Sequence, residues 1–322
     1  MKILILRFSS IGDIVLTTPV IRGIKMQCKA SVHYATKTQF ESIVAANPYV
    51  DKVHGLGDSL TQLIKELRKE NFDFVIDLHH NLRTFIVKTA LGVKTFSFNK
   101  LNVAKWLMVN FKINRLPSRH IVDRYMDTVA HLGVGGDSLG LDYFIPEQDE
   151  VPLAMLPETH HRGYVGYAIG AQHATKKLPV ARMIELCARI SRPVILLGGT
   201  EDREAGEHVC RFFELNTEGK TVVYNACGKY TLHQSASMLK MADYVFTHDT
   251  GLMHIAAAFK KDIFCIWGNT IPAFGMYPYR TSFTNLENNN LSCRPCSKIG
   301  FDKCPKGHFK CMKEPVFDFR LP

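Results

Sequence analysis

Five short segments of this chain gather the side chains able to do chemistry. The first is Arg7-Phe8-Ser9-Ser10-Ile11-Gly12-Asp13, directly after an apolar run. Ser9, Ser10 and Gly12 are small enough to let backbone approach a ligand. Asp13 suits a general base that takes a proton from a substrate hydroxyl. It equally suits a helix cap. The second segment, Asp77-Leu78-His79-His80-Asn81-Leu82-Arg83, is dense in hydrogen-bonding groups, among them Asn81 and Arg83, which fit a polar ligand or a solvated loop. His120, Arg124 and Tyr125 share one helical face and could line the same site, although solvent exposure is their simpler account.

Three further segments lie in the second half. Gly170-Ala171-Gln172-His173-Ala174-Thr175-Lys176-Lys177-Leu178-Pro179 sets small residues, a hydroxyl and two lysines ahead of a helical pattern, a plausible phosphate grip. Gly198-Gly199-Thr200-Glu201-Asp202 places an acid where it would bind ribose hydroxyls or cap a helix. In Thr247-His248-Asp249-Thr250-Gly251-Leu252-Met253-His254, Asp249 and Thr250 end a strand pattern and Gly251 opens an apolar helix. The free N–H groups of such a helix start favour a diphosphate, and His254 falls one turn in on the same face.

The elements that must position these residues alternate strand and helix, twice. Strands are expected at 3–6, 31–34, 50–54, 73–77 and 94–98, with helices at 37–46, 59–69, 82–91 and 119–132. The pattern restarts with strands at 164–169, 193–197, 221–224, 243–247 and 262–267 and helices at 181–190, 201–213, 232–241 and 252–259. Such alternation implies parallel sheets: two Rossmann-like, doubly wound α/β domains, at 1–150 and 160–322, joined across the Pro-rich, acidic stretch 142–161. Sheets of this kind bind ligands beyond the carboxyl ends of their strands, where all five segments fall.

The 322 residues are 46% hydrophobic and 22% charged, an ordinary globular composition. Lys and Arg total 40 against 30 Asp and Glu, a net charge of +10 that favours an anionic partner. No apolar run has the roughly 18 residues of a spanning helix, and the N-terminus is too short in apolar residues for an export signal. A cytoplasmic chain with reduced cysteines is therefore expected. Four of the nine, Cys293, Cys296, Cys304 and Cys311, crowd one stretch with His308 between the last two; they suit a structural zinc or stand as free thiols. No Gly-x-Gly-x-x-Gly follows a strand, Gly219-Lys220-Thr221 lacks the upstream glycine of a P-loop, and neither Asp-x-Asp nor His-Glu-x-x-His occurs.

The order and separation of Arg7-x-Ser9-Ser10-x-Gly12-Asp13, Lys176-x-x-Pro179 and Asp249-Thr250-Gly251-x-x-His254 resemble glycosyltransferase family 9, the lipopolysaccharide heptosyltransferases. The resemblance implies the two-domain GT-B fold and an inverting transfer of heptose from ADP-heptose to a sugar of the lipid A–core acceptor. It implies Asp13 as base and Thr175, Lys176, Glu201, Asp249, Thr250, Gly251 and His254 around the donor. Arg7, Ser10, Asn81, Arg83 and Arg124 are expected on the acceptor side. No cofactor is implied, because a lysine and a helix terminus can hold the leaving diphosphate. The basic charge fits an acceptor at an anionic membrane surface, met peripherally through Lys94, Lys100, Lys105 and Lys112 with Trp106 and Phe111, unless those aromatics pack inside the domain. Another nucleotide sugar as donor, or a GT-B epimerase, are the enzymatic alternatives. A basic nucleic-acid-binding module is the non-enzymatic one, but no nucleic-acid motif is present.

Overall fold

The computed structural model describes residues 1–216 and 219–321. They form two compact units, one of Met1–Leu101 with Arg119–Phe144, the other of Asn102–Ser118 with the residues from Ile145 onward.

In the first unit, β1 (Lys2–Leu6), β2 (Ser31–Lys37), β3 (Lys52–Leu56), β4 (Phe74–Asp77) and β5 (Lys94–Ser97) form one sheet in the order β3-β2-β1-β4-β5, every pairing parallel. Ile3, Leu4, Ile5 and Leu6 have no solvent exposure. A central parallel strand is covered on both faces, which is why it reads as an unbroken apolar run. The connections are α1 (Ile11–Val15), α2 (Thr18–Cys28), α3 (Glu41–Ala45), α4 (Leu60–Arg68) and α5 (Leu82–Leu91). Pro19 stands at the start of α2, where its missing N–H costs nothing. Leu63 and Leu67 of α4 pack with Leu4, Leu6, Phe72 and Val75, each such burial being worth about 1.5–3 kcal/mol.

A ten-residue helix that the periodicity did not suggest, α6 (Asn102–Phe111), follows β5. It belongs with the second unit: the Lys105 ammonium lies over the Phe274 ring, and Lys112, just past the helix, donates to the Pro295 carbonyl at 2.7 Å. The expected helix at 119–132 shrinks to α7 (Ile121–Met126) and a 3-10 turn at Ala130–Leu132.

The second unit carries β6 (Val165–Ala168), α8 (Val180–Ile190), β7 (Val194–Leu197), α9 (Arg203–Leu215), β8 (Val223–Asn225), α10 (Leu232–Met241), β9 (Tyr244–His248), α11 (Gly251–Ala258), β10 (Asp262–Trp267), β11 (Phe283–Glu287) and α12 (Lys310–Lys313). Its sheet runs β11-β10-β9-β6-β7-β8, again all parallel. The half-exposed edge strand β11 was not foreseen. In each sheet the strand order reverses once, beside β1 in the first and between β6 and β9 in the second. Such reversals open the crevice in which doubly wound sheets hold ligands.

Candidate active site

On the first unit, Leu6 pairs with Asp77 across the β1–β4 ladder, so the loops 7–10 and 78–81 leave the sheet side by side. Arg7 is buried between them. Its Nε donates to the Ser9 carbonyl at 2.7 Å, its Nη1 to the Leu78 carbonyl and to the Tyr125 hydroxyl at 3.0 Å, and its Nη2 lies 2.7 Å from Asp13 Oδ1. Burial disfavours the Arg7 charge, yet the attraction of Asp13 outweighs it and the guanidinium pKa is raised. The other Asp13 oxygen accepts from the Ser10 amide at 3.2 Å and hydroxyl at 2.8 Å. Asp13 thus reaches back to cap α1, and it is a half-buried carboxylate held by a buried cation.

The acceptor-side expectations separate. Arg7 is buried and spends its contacts inside the protein, on Ser9, Leu78, Tyr125 and Asp13. Ser10 is exposed beside Asp13. Asn81 caps α5, its side-chain oxygen accepting from the Thr84 amide at 3.0 Å. Arg83 is exposed on that helix. Surface exposure fails for the trio on α7: His120, Arg124 and Tyr125 are 1%, 5% and 0% exposed. Tyr125 is drawn in by Arg7 and by the edge of Phe98. Arg124 donates through Nη1 to the Asn99 carbonyl at 2.9 Å, while its Nε and Nη2 are buried without a hydrogen-bond partner. His79 accepts from the Phe8 amide at 3.2 Å. Burial, reinforced by the Arg7 charge, pushes its pKa down to about 4, so it is a neutral acceptor at pH 7.

On the second unit, the Lys176 ammonium lies 2.6 Å from Asp249 Oδ2, and the Thr270 hydroxyl donates to the same oxygen at 2.8 Å. Asp249 leads into Thr250 and α11, whose first turn receives no side-chain cap from Thr250. The N–H groups from Gly251 on are therefore held beside a lysine, an anion-binding arrangement. His254 is buried one turn further. Sequence reasoning passed over the residue that ties the two loops together, His248. It donates through Nδ1 to the Ile169 carbonyl at 3.0 Å and accepts at Nε2 from the Leu178 amide at 3.1 Å. Burial pushes its pKa down to about 3, which keeps it in the neutral form that can do both. The only signal for it was a polar residue at the end of an apolar strand.

Thr175 faces away from a free-ligand role. Its hydroxyl donates to the Phe301 carbonyl at 3.0 Å and accepts from the Phe301 amide at 2.8 Å, pinning the Lys176 loop to the cysteine-rich stretch. Gly300, at φ +135°, makes the turn there against His173, a conformation that only glycine adopts without strain. Glu201 is exposed, and its neighbour Asp202 is the inward acid: buried, 2.6 Å from the Lys177 ammonium and accepting from the Gly199 amide at 3.0 Å. A side chain at Gly170 or Gly198 would run into that carboxylate, so the two glycines exist to let it in.

In the cysteine-rich stretch, Cys293 Sγ lies 3.8 Å from His308 Nε2. Burial, then the neighbouring thiols, raises the Cys311 pKa to about 12. Among the described residues, however, the only group of three or more potential ligands whose atoms lie within 4.8 Å of one another is His33, His54 and Glu70. Arg294 braces the donor side from this stretch. It is buried, donates to the Gly268 and Thr270 carbonyls at 2.6 and 3.1 Å, and pairs with Glu287 at 2.7 Å.

Residues 60–304 match the family model described as glycosyltransferase family 9 (heptosyltransferase). The chain is 26% identical over 317 residues to lipopolysaccharide heptosyltransferase 1 of Campylobacter coli, covering 89% of this chain and 88% of that protein. Among solved structures, ADP-heptose LPS heptosyltransferase II of E. coli superposes with a TM-score of 0.70 at 18% identity, covering 97% and 98% of the two chains. E. coli heptosyltransferase WaaC with ADP-2-deoxy-2-fluoro heptose gives 0.66 at 21%, covering 91% and 95%. The fold is that of these heptosyltransferases, two parallel α/β domains of GT-B type.

Proposed function

The chain belongs to glycosyltransferase family 9, and from that premise we propose that it transfers a heptose from ADP-heptose to a sugar of the lipopolysaccharide core. The observation that carries this reading is likeness to heptosyltransferases along nearly nine-tenths of the chain, joined to an uncapped helix start beside Lys176. In the reaction, an acceptor hydroxyl oxygen bonds to the anomeric carbon of the heptose, the bond from that carbon to the β-phosphate oxygen breaks, and ADP departs. Asp13 takes the hydroxyl proton. Arg7 and Ser10 aim that carboxylate. The charge that builds on the departing diphosphate is met by the Lys176 ammonium and the amides after Thr250. Asp249 positions Lys176, and His248 fixes the loop that carries it.

Arg124 fits the anionic partner that the basic charge favours: its buried Nε and Nη2 make no hydrogen bond, and an anionic group would satisfy them. Surface charge supports a membrane encounter. Residues 78–122 contain eight Lys and Arg and no Asp or Glu. Within this stretch α6 buries none of its residues, leaving Val103, Trp106 and Phe111 73%, 55% and 58% exposed. Both aromatics therefore stand in solvent, not inside the domain. No helix among the described residues is long and apolar enough to cross a membrane.

The reading is tested by incubating the enzyme with ADP-heptose and a heptose-free core acceptor and weighing the product. A mass gain of one heptose with release of ADP is expected. Turnover only with a different nucleotide sugar, or isomerised donor without acceptor, would replace it by another transferase or by an epimerase.

A further inference from the structure

Away from the reaction centre, on the first unit, two histidines and a glutamate converge under the sheet edge. His33 lies on β2 and His54 on β3, and the ladder pairs His33 with Lys52 and Ala35 with His54. Paired residues and residues two apart share a face, so both imidazoles project to the same side. His33 Nδ1 comes 2.9 Å from His54 Nε2. Glu70, in the turn after α4, brings Oε2 to 3.9 Å from His33 Nδ1. Both histidines are 4% exposed, and the edge of Phe72 closes the apolar side, its centroid 5.2 Å from that of His33.

We propose that His33, His54 and Glu70 form a binding site for a divalent transition-metal ion of the zinc type, clamping edge strand β3 to β2 and to the turn after α4. Two nitrogens and a carboxylate are a donor set that such ions favour. Ligands bound at about 2.0–2.1 Å to a tetrahedral ion stand roughly 3.3 Å apart; the three atoms already lie within 4.8 Å of one another, and the two separations from His33 Nδ1, 2.9 and 3.9 Å, bracket that value. Without an ion, the two facing nitrogens share one N–H. With it, that N–H moves to the other nitrogen of its own ring, both lone pairs turn to the metal, and no proton is lost. The carboxylate is shared with two lysines: Lys2 Nζ is 2.9 Å from Oε2 and Lys52 Nζ 2.5 Å from Oε1. The ion competes with Lys2 alone for Oε2, and Lys2 keeps a second acceptor in the Glu70 carbonyl at 2.8 Å. The fourth position is left to water.

The test uses the full chain stripped of metal by chelator and titrated with Co²⁺, in a Cys293→Ser/Cys296→Ser background that breaks up the four-cysteine cluster. One equivalent should bind, with ligand-field absorption and no thiolate charge-transfer band. Glu70→Gln and His54→Gln should each weaken that binding about tenfold or more, the loss that even an outer-sphere partner causes at such sites. If the double-cysteine background does not fold, the wild-type titration serves, since cobalt on nitrogen and oxygen is spectrally distinct from cobalt on sulfur. Absence of a nitrogen/oxygen cobalt signal at millimolar ion would overturn the site. So would a signal that survives undiminished in folded Glu70→Gln and His54→Gln variants.

Discussion

Lys176 and Thr270 meet the same oxygen of Asp249, the ammonium at 2.6 Å and the hydroxyl at 2.8 Å. The lysine is thereby held in place before any diphosphate arrives. A diphosphate arriving as proposed would find a cation already oriented, the form of electrostatic assistance that needs no reorganisation during the reaction.

Lys176→Ala should therefore lower turnover by about 10²–10³, comparable to deleting one preorganised donor. Transfer by the wild type should continue in excess EDTA, because the charge on the leaving group is carried by the protein. Initial rates with and without chelator, and a rescue trial with Mg²⁺, check both halves; Mg²⁺-dependent recovery would assign that charge to an ion instead.

Asp13→Asn keeps the size of the side chain and one of the two oxygens that accept from Arg7 and Ser10, but removes the carboxylate's basicity. Turnover should fall by roughly 10²–10⁴, while binding of ADP, followed by calorimetry, stays within a factor of about two. An Asn variant as fast as the parent would leave Asp13 only its capping role at α1.

Acid should destabilise the fold through its buried neutral imidazoles. His248 and His79 have pKa values near 3 and 4 when folded, against about 6.5 in the unfolded chain. Between those limits the unfolded chain binds more protons, so stability rises with pH. It is complete above about pH 6.5 and is lost as pH falls toward 3–4, each histidine adding a slope of up to about 1.4 kcal/mol per pH unit. Denaturant midpoints from pH 7 to pH 4 report it, and His248→Gln should flatten the curve.

Vesicles rich in anionic lipid should retain the protein at low salt and release it as salt screens the 78–122 stretch. Trp106→Ser should weaken retention about tenfold or more, because an indole is worth roughly 1.5–3 kcal/mol when buried. Equal retention by neutral vesicles would speak against the charge and for the aromatics alone.

Much of this was legible in the residues. The β1 run is apolar on both faces, so both the strand and the segment that carries Asp13 could be placed, and the strand end at Asp77 followed likewise, while the expected β9 stops at 247, one residue short of His248. What escaped depended on tertiary partners. Asp202 and Glu201 are adjacent acids, and only the packing of Gly170 and Gly198 decides which one turns inward. Arg124 lies on a short helix whose polar face looks solvated until Tyr125 is seen paired to Arg7. Strand β11 is half exposed at a sheet edge and so lacks the apolar run that announced the others. Helix α6 leaves Leu107, Met108 and Val109 only half-buried and none of its residues fully buried, so no core periodicity announced it.

The brace from Arg294 and Phe301 onto Thr270 and Thr175 sets an order in time. Residues 170–179 and 247–254 leave the ribosome well before residues 294–301, yet the loops at Thr175 and Thr270 lack their hydrogen-bonding partners until those later residues arrive. The growing chain can complete the fold of its first unit while the loops at Thr175 and Thr270 are still unbraced, and it should not grip a nucleotide sugar until the brace forms. Arrested nascent chains ending before Arg294 should show no ADP-dependent protection from protease, and chains carried past Phe301 and clear of the exit tunnel should show it; protection in the shorter chains would sever the tail from donor binding.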